Sequence, residues 1–168
     1  MKTIQLTRGM VTVVDDEDFE FLSQWKWHAG CCGGLFYARR DVKVGEKRHV
    51  IYMHRVLIGA VEGQGVDHKD RSTLNNQKSN LRFANQTSNN ANTRLRKNNT
   101  SGFKGVVWHK ASKRWIANVT AKGKRIHVGL FDSPKQAADA YDEAAKKHFE
   151  DFAATNASLE SRKNGEGA

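Results

Sequence analysis

Pro134 is the only proline in the 168 residues, and it stands directly behind Ser133. That pair opens a helix: the hydroxyl caps a backbone N–H, and the ring fixes a helical φ where its missing N–H is not needed. Downstream, Ala138, Tyr141, Ala145 and Phe149 form one stripe at helical spacing. Acids fall early (Asp139, Asp142, Glu143) and bases late (Lys146, Lys147), as the helix dipole favours. Upstream lie three short runs of strand character, Lys104 to His109, Arg114 to Thr120 and Arg125 to Phe131, with turns at Ala111-Ser112 and Lys122-Gly123. The C-terminal part is thereby restricted to a three-stranded antiparallel sheet packed on one helix.

The N-terminal part has another rhythm. Ile4 to Leu6 and Met10 to Val14 read as strands, and Asp15-Asp16-Glu17-Asp18 supplies a cap and first-turn acids for a helix carrying Phe19, Leu22 and Trp25. Leu35 to Val42 and Arg48 to Met53 suit a hairpin across Gly45. The chain is therefore α+β, with one module over 1–95 that starts with a β-rich extension, a basic linker at 96–101, the sheet-and-helix domain at 102–156 and a disordered tail at 157–168.

The net charge of +10 is unevenly spread. From Arg71 to Phe131 there is no Asp or Glu among 61 residues, against 13 Lys and Arg, whereas the first 53 residues hold 8 basic and 7 acidic groups. A stretch of that kind neutralises phosphates and releases their counterions, which makes double-stranded DNA the expected partner. The basic residues do not oppose an apolar helical face, which disfavours a membrane, and no apolar run approaches a membrane span or a secretory signal. The expectation is a soluble, cytoplasmic protein (host cytoplasm or nucleoid, if phage-encoded), acting as a monomer or weak dimer and with no small-molecule substrate. The adjacent Cys31 and Cys32 suit neither a structural disulfide nor a zinc site and read as reduced thiols in a half-buried loop.

The chemistry concentrates in three words: Val66-Asp67-His68-Lys69-Asp70, Lys78-Ser79-Asn80-Leu81-Arg82-Phe83 and Thr87-Ser88-Asn89-Asn90-Ala91-Asn92. They read as strand, loop, strand and helix. Phosphodiester hydrolysis needs an activated water and stabilisation of a phosphorane-like state, and a neutral imidazole suits the first task. Asp67 offers a carboxylate and Asn89 an amide oxygen, a sparse oxygen set that favours Mg2+ (or Mn2+) over zinc. Asn90 or Asn92 takes the place of Asn89 if the helix is shifted. Asn80 is placed to bond backbone on both sides of the long loop and so aim His68.

This order resembles the His-Asn-His (HNH) endonucleases of ββα-metal fold, particularly the homing enzymes of phages and introns. The spacings of 12 residues from His68 to Asn80 and 9 from Asn80 to Asn89 agree with it, and the likeness covers about residues 1–95, including Tyr52-Met53-His54-Arg55. The resemblance implies His68 as general base, Asn80 as the orienting residue, and Asp67 with Asn89 as metal ligands. The last family position is often His and is Asn here. His54 reads as a structural histidine, and Arg55 as either a phosphate contact or a surface residue.

In the second domain, alternation separates Trp115, Ala117 and Val119 from Ile116, Asn118 and Thr120. An open face with Lys104, His109, Asn118, Arg125 and His127 could enter a major groove. Arg82, Arg94, Arg96, Lys97, Lys110 and Lys113 are further candidates for the DNA backbone. The words Gly102-Phe103-Lys104-Gly105-Val106, Trp115-Ile116-Ala117, Val128-Gly129-Leu130-Phe131 and Ala137-Ala138-Asp139-Ala140-Tyr141-Asp142 resemble the plant ethylene-response-factor (Apetala-type) DNA-binding domain. That likeness implies DNA reading by the sheet, but Val107, His109 and His127 replace family arginine and tryptophan positions, so no target sequence is implied.

The expected function is a site-specific homing-type endonuclease, free-standing or intron-encoded, that nicks one strand per active site. The competing readings are a DNA-binding regulator with an inactive nuclease domain, and an RNA-binding or structural protein.

Overall fold

The computed structural model describes residues 1–93, 95 and 98–163, and it separates the chain into two compact units, Met1–Asn85 and Gln86–Ala168.

The first unit begins with the antiparallel pair β1 (Lys2–Gln5) and β2 (Val11–Val14), followed by α1 (Asp16–Ser23). The expected cap differs: Asp15 makes no side-chain bond to the helix but accepts from Gln77 Nε2 and Lys78 N, at 3.0 and 2.8 Å. Its carboxylate thus ties the start of α1 to a loop 62 residues downstream.

A second sheet has the order β3 (His28–Cys32), β4 (Leu35–Val44), β5 (Lys47–Tyr52), all antiparallel. Strand β3 had no place in the sequence reading, and it carries Cys31 and Cys32 as exposed free thiols on a strand, not in a half-buried loop. One face of this sheet joins the core of Leu6, Val14, Leu22, Trp27, Ala29, Ala38 and Met53. On that side Arg40 lies over Trp25, 4.5 Å from the ring centre. Helix α2 (Met53–Leu57) leads to the hairpin of β6 (Gly65–His68) and β7 (Leu81–Ala84), in which Asp67 faces Arg82 and His68 faces Leu81.

The second unit starts with α3 (Gln86–Ala91), then β8 (Val106–His109), β9 (Arg114–Ala121) and β10 (Lys124–Phe131) in one antiparallel sheet, packed on α4 (Pro134–Phe149). The Ser133 hydroxyl accepts from Gln136 N, so the proline-marked helix start forms as expected. The expected stripe, Ala138, Tyr141, Ala145 and Phe149, is buried against Val106, Ala117 and Val119.

Two boundaries depart from expectation. The units divide after Asn85, not near 95, because Ala91 of α3 joins the second core and its carbonyl accepts from Ala154 N and Lys104 Nζ. The expected disordered tail begins instead as α5 (Asn156–Lys163), whose first N–H groups, those of Asn156 and Ala157, are capped by the Asp142 carboxylate at 2.6 and 3.0 Å. No helix among the described residues is long and apolar enough to cross a membrane.

Candidate functional site

The β6–β7 hairpin and its enclosed loop gather Asp67, His68 and Asn80 in the first unit. All three are buried. Asn80 organises the loop: its Oδ1 accepts from Asp70 N (2.9 Å), and its Nδ2 donates to Asp70 Oδ1 (2.9 Å) and to Asn75 O (2.8 Å). Asp70, which the sequence reading did not single out, also accepts from Ser72 N and Asn75 Nδ2, both at 2.8 Å. The backbone directly after His68 is therefore held from both sides.

His68 has a second support invisible in the sequence. Its Nε2 lies 3.4 Å from Oδ1 of Asn76, a side chain with no solvent exposure. Asn76 Nδ2 donates to Thr12 Oγ1 (2.7 Å), and that hydroxyl donates to Leu74 O (2.8 Å). With the amide nitrogen given to Thr12, the amide oxygen faces the imidazole. This makes Nε2 the protonated nitrogen of the neutral ring and leaves the lone pair on Nδ1. Strand β2 holds the whole support, since Val13 exchanges backbone bonds with Leu74 and Asn76.

Burial drives the His68 pKa below the ordinary imidazole value, against the upward pull of the Asn76 bond and of Asp70 and Asp67. His54, in the first turn of α2, meets His68 edge to face at 5.1 Å between ring centres. Burial pushes its pKa down to about 3, helped by His68 and Arg55. Its Nδ1 is buried without a hydrogen-bond partner among the described residues. Tyr37 and Tyr52 complete an aromatic wall around both imidazoles.

Asp67 is paired rather than open: its Oδ2 accepts from Arg82 Nε and Nη2 at 2.9 and 2.7 Å. Arg82, expected along DNA, is half-buried in this pair, where the buried Asp67 carboxylate needs an opposite charge. No cluster of three or more His, Cys, Asp or Glu suited to a metal occurs among the described residues. The carboxylate and amide oxygens of Asp67 and the expected asparagine are the donor chemistry of a hard divalent cation, which needs few protein oxygens because water and phosphate fill the other positions. Asn89, the other expected ligand, belongs to α3 in the second unit.

The remaining DNA candidates divide into three groups. Arg55 donates both terminal nitrogens to the carbonyls of Gln64 and Val61, at 2.6 Å each, and so serves the loop after α2. Lys104 donates to the carbonyls of Ala91 and Thr93 at the end of α3, not to an open sheet face. By contrast the strand register sets His109 opposite Arg114, Asn118 opposite His127 and Thr120 opposite Arg125, which places them on the sheet face away from α4. Lys110 and Lys113 are exposed in the β8–β9 turn beside it. Arg94, Arg96 and Lys97 lie outside the described residues.

Comparison with known proteins agrees with this division. The AP2 domain matches residues 101–150. An AP2-like ethylene-responsive transcription factor of Arabidopsis thaliana, TOE2, is 38% identical over 48 residues, 29% of this chain and 10% of that protein. Protein 3.8 of Escherichia phage T7 is 42% identical over 79 residues, 47% of this chain, and the match spans 65% of the phage protein's length. An uncharacterized HNH endonuclease of Acanthamoeba polyphaga mimivirus, L560, is 30% identical over 151 residues, 89% of this chain and 76% of that protein. No solved structure matches. On the strength of that last relative and of the domain match, the chain belongs to the HNH endonuclease family and carries an AP2 domain.

Proposed function

We propose that the protein is a homing-type, site-specific DNA endonuclease in which His68 is the general base and nicks one strand per active site. The observation that carries this reading is the buried frame around His68: a neutral imidazole, fixed in one tautomer by Asn76 and Thr12, with the following backbone clamped by Asn80. In this reading Nδ1 of His68 takes a proton from the attacking water, and Asn80 keeps the ring aimed. Asp67 and Asn89 would hold a Mg2+ ion (Mn2+ as substitute). That ion would supply Lewis-acid stabilisation of the negative charge on the phosphate and the leaving 3' oxygen. Arg82 is the charge partner of Asp67 at that depth. The AP2 sheet, through His109, Asn118, Arg125 and His127, would recognise duplex DNA.

One observation favours a second reading, a DNA-binding regulator with an inactive nuclease domain: Asp67 already has Arg82 on one oxygen. A single assay separates the two. Supercoiled plasmid bearing a selected site is incubated with protein and Mg2+ or EDTA, beside His68→Ala. The nuclease reading expects Mg2+-dependent open circles, reduced at least a hundredfold by the substitution. Binding without nicking, or nicking undiminished in His68→Ala, sinks it.

A further inference from the structure

The first unit carries a second basic feature that the catalytic frame does not use. In β4, Arg39 stands opposite His28 of β3, and Tyr37 opposite Gly30, so all four share the face away from the core cluster. Arg39 does not project straight out. A Cβ built on Gly30 would meet Arg39 Nε at 1.8 Å and Cζ at 2.5 Å, so the guanidinium lies diagonally across the bare glycine. Gly30 has no left-handed backbone to explain its lack of a side chain. Its one visible consequence is the seat it leaves for Arg39.

The seated head is held by His28, whose Nε2 accepts from Arg39 Nε at 3.3 Å, and it forms no ion pair with a carboxylate among the described residues. The contrast inside the unit is informative. Arg82 is neutralised by Asp67, Arg55 caps carbonyls, and Arg40 stacks on tryptophan, yet Arg39 keeps its charge on a half-buried polar face. The same face leads directly to the catalytic frame. Arg39 is opposite Tyr52 in β5, and the neighbouring Tyr37 ring is 6.4 Å from that of His68. In the other direction it continues to Lys43 and Arg48, opposite one another, with Asp41 the single acid, 3.9 Å from Arg48. Arg39 and Lys43 are about 13 Å apart along the strand, a length comparable with about four base steps of duplex DNA.

We propose that Arg39, seated across Gly30, binds a phosphate of the DNA backbone beside His68, making the outer face of β3–β5 a DNA-binding surface separate from the AP2 sheet. The inference rests on the reading that the first unit acts on DNA. A planar guanidinium with its partners fixed on one side and unneutralised charge on the other is suited to a phosphodiester oxygen.

The test uses the full chain and a fluorescein-labelled mixed-sequence duplex titrated in EDTA across a salt series, with single-turnover plasmid nicking in Mg2+ run alongside. Arg39→Ala is expected to weaken binding about tenfold and to lower the slope of log affinity against log salt by about 0.9. Arg39→Lys keeps the slope. Gly30→Ala, with the arginine present but unseated, behaves like Arg39→Ala; should it melt early, Arg39→Gln carries the test in its place. A slope and affinity unchanged in Arg39→Ala overturn the inference even if the protein nicks DNA. A changed slope in a protein that never nicks keeps the inference and sinks the nuclease reading instead.

Discussion

His68 and Asn76 meet at 3.4 Å between Nε2 and Oδ1, and because the Asn76 amide nitrogen is bound to Thr12, this contact orients the imidazole from outside its own hairpin. Replacing Asn76 by alanine leaves the Thr12 hydroxyl short of a donor and the ring without its fixed tautomer. The expected outcome is a loss of about 1 to 3 kcal/mol in urea unfolding and a fall of about ten- to a hundredfold in plasmid nicking. Full nicking activity in a folded Asn76→Ala protein would show that the tautomer is set elsewhere.

Arg82→Ala strands the Asp67 carboxylate, 7% exposed, with its main cation gone. Breaking a buried pair from one side costs about 3 to 5 kcal/mol, so the first unit should unfold at markedly lower urea. Restoring neutrality with Asp67→Asn in the same chain should recover part of that loss. A double variant no more stable than the single one speaks against the pairing as the cause.

His54 gives the folded state a pH dependence of known sign. Its pKa is about 3 in the fold, against an ordinary value near 6.5 when exposed. A group with a depressed folded value contributes stability that is fully present above the unfolded pKa and is lost as pH falls toward the folded one. Stability should therefore decline from about pH 6.5 downward, by up to about 1.4 kcal/mol per pH unit for this one proton. His54→Gln should flatten that decline in denaturant titrations at pH 5 and 7. An unchanged pH slope would remove His54 as its source.

In the second unit Gly105 adopts φ +74°, and a Cβ there would meet the Tyr141 ring at 2.1 Å and Asn118 O at 2.8 Å. Gly105→Ala combines backbone strain with overpacking and should destabilise this unit by about 3 kcal/mol. Tryptophan fluorescence of Trp108 and Trp115 would follow its unfolding. A melting temperature within a degree or so of wild type would mean that the ring moves aside.

Local chemistry made the second unit readable. Ser133-Pro134 marked the helix, and strand alternation separated Ala117 and Val119 from Asn118 and Thr120 as the register does. Asp67, His68 and Asn80 were legible as a group because their chemistry and spacing are specific. What escaped depends on distant partners. Asn76 and Thr12 look like ordinary loop and strand polars, and only the 64-residue contact between them creates a buried support. Strand β3 lacks alternation because Gly30 must stay bare beneath Arg39. Arg55, Arg82 and Lys104 contributed to a basic count, yet each is engaged internally, a fact no one-dimensional charge tally contains. Helix α5 was unreadable for the same reason, its cap being Asp142, 14 residues back on another helix.

That cap also bears on how the chain leaves the ribosome. Asn156 bonds Lys104 N at 2.6 Å and Lys104 O at 3.2 Å, joining the first residues of the AP2 unit to a point beyond the 101–150 match. The Asn76–Thr12 support of His68 and the Asn80 clamp, by comparison, lie between Thr12 and Asn80. At about 5 to 20 residues per second, that support can close seconds before residue 156 emerges to latch the second unit. Nascent chains would thus hold the His68 support ahead of a finished AP2 domain.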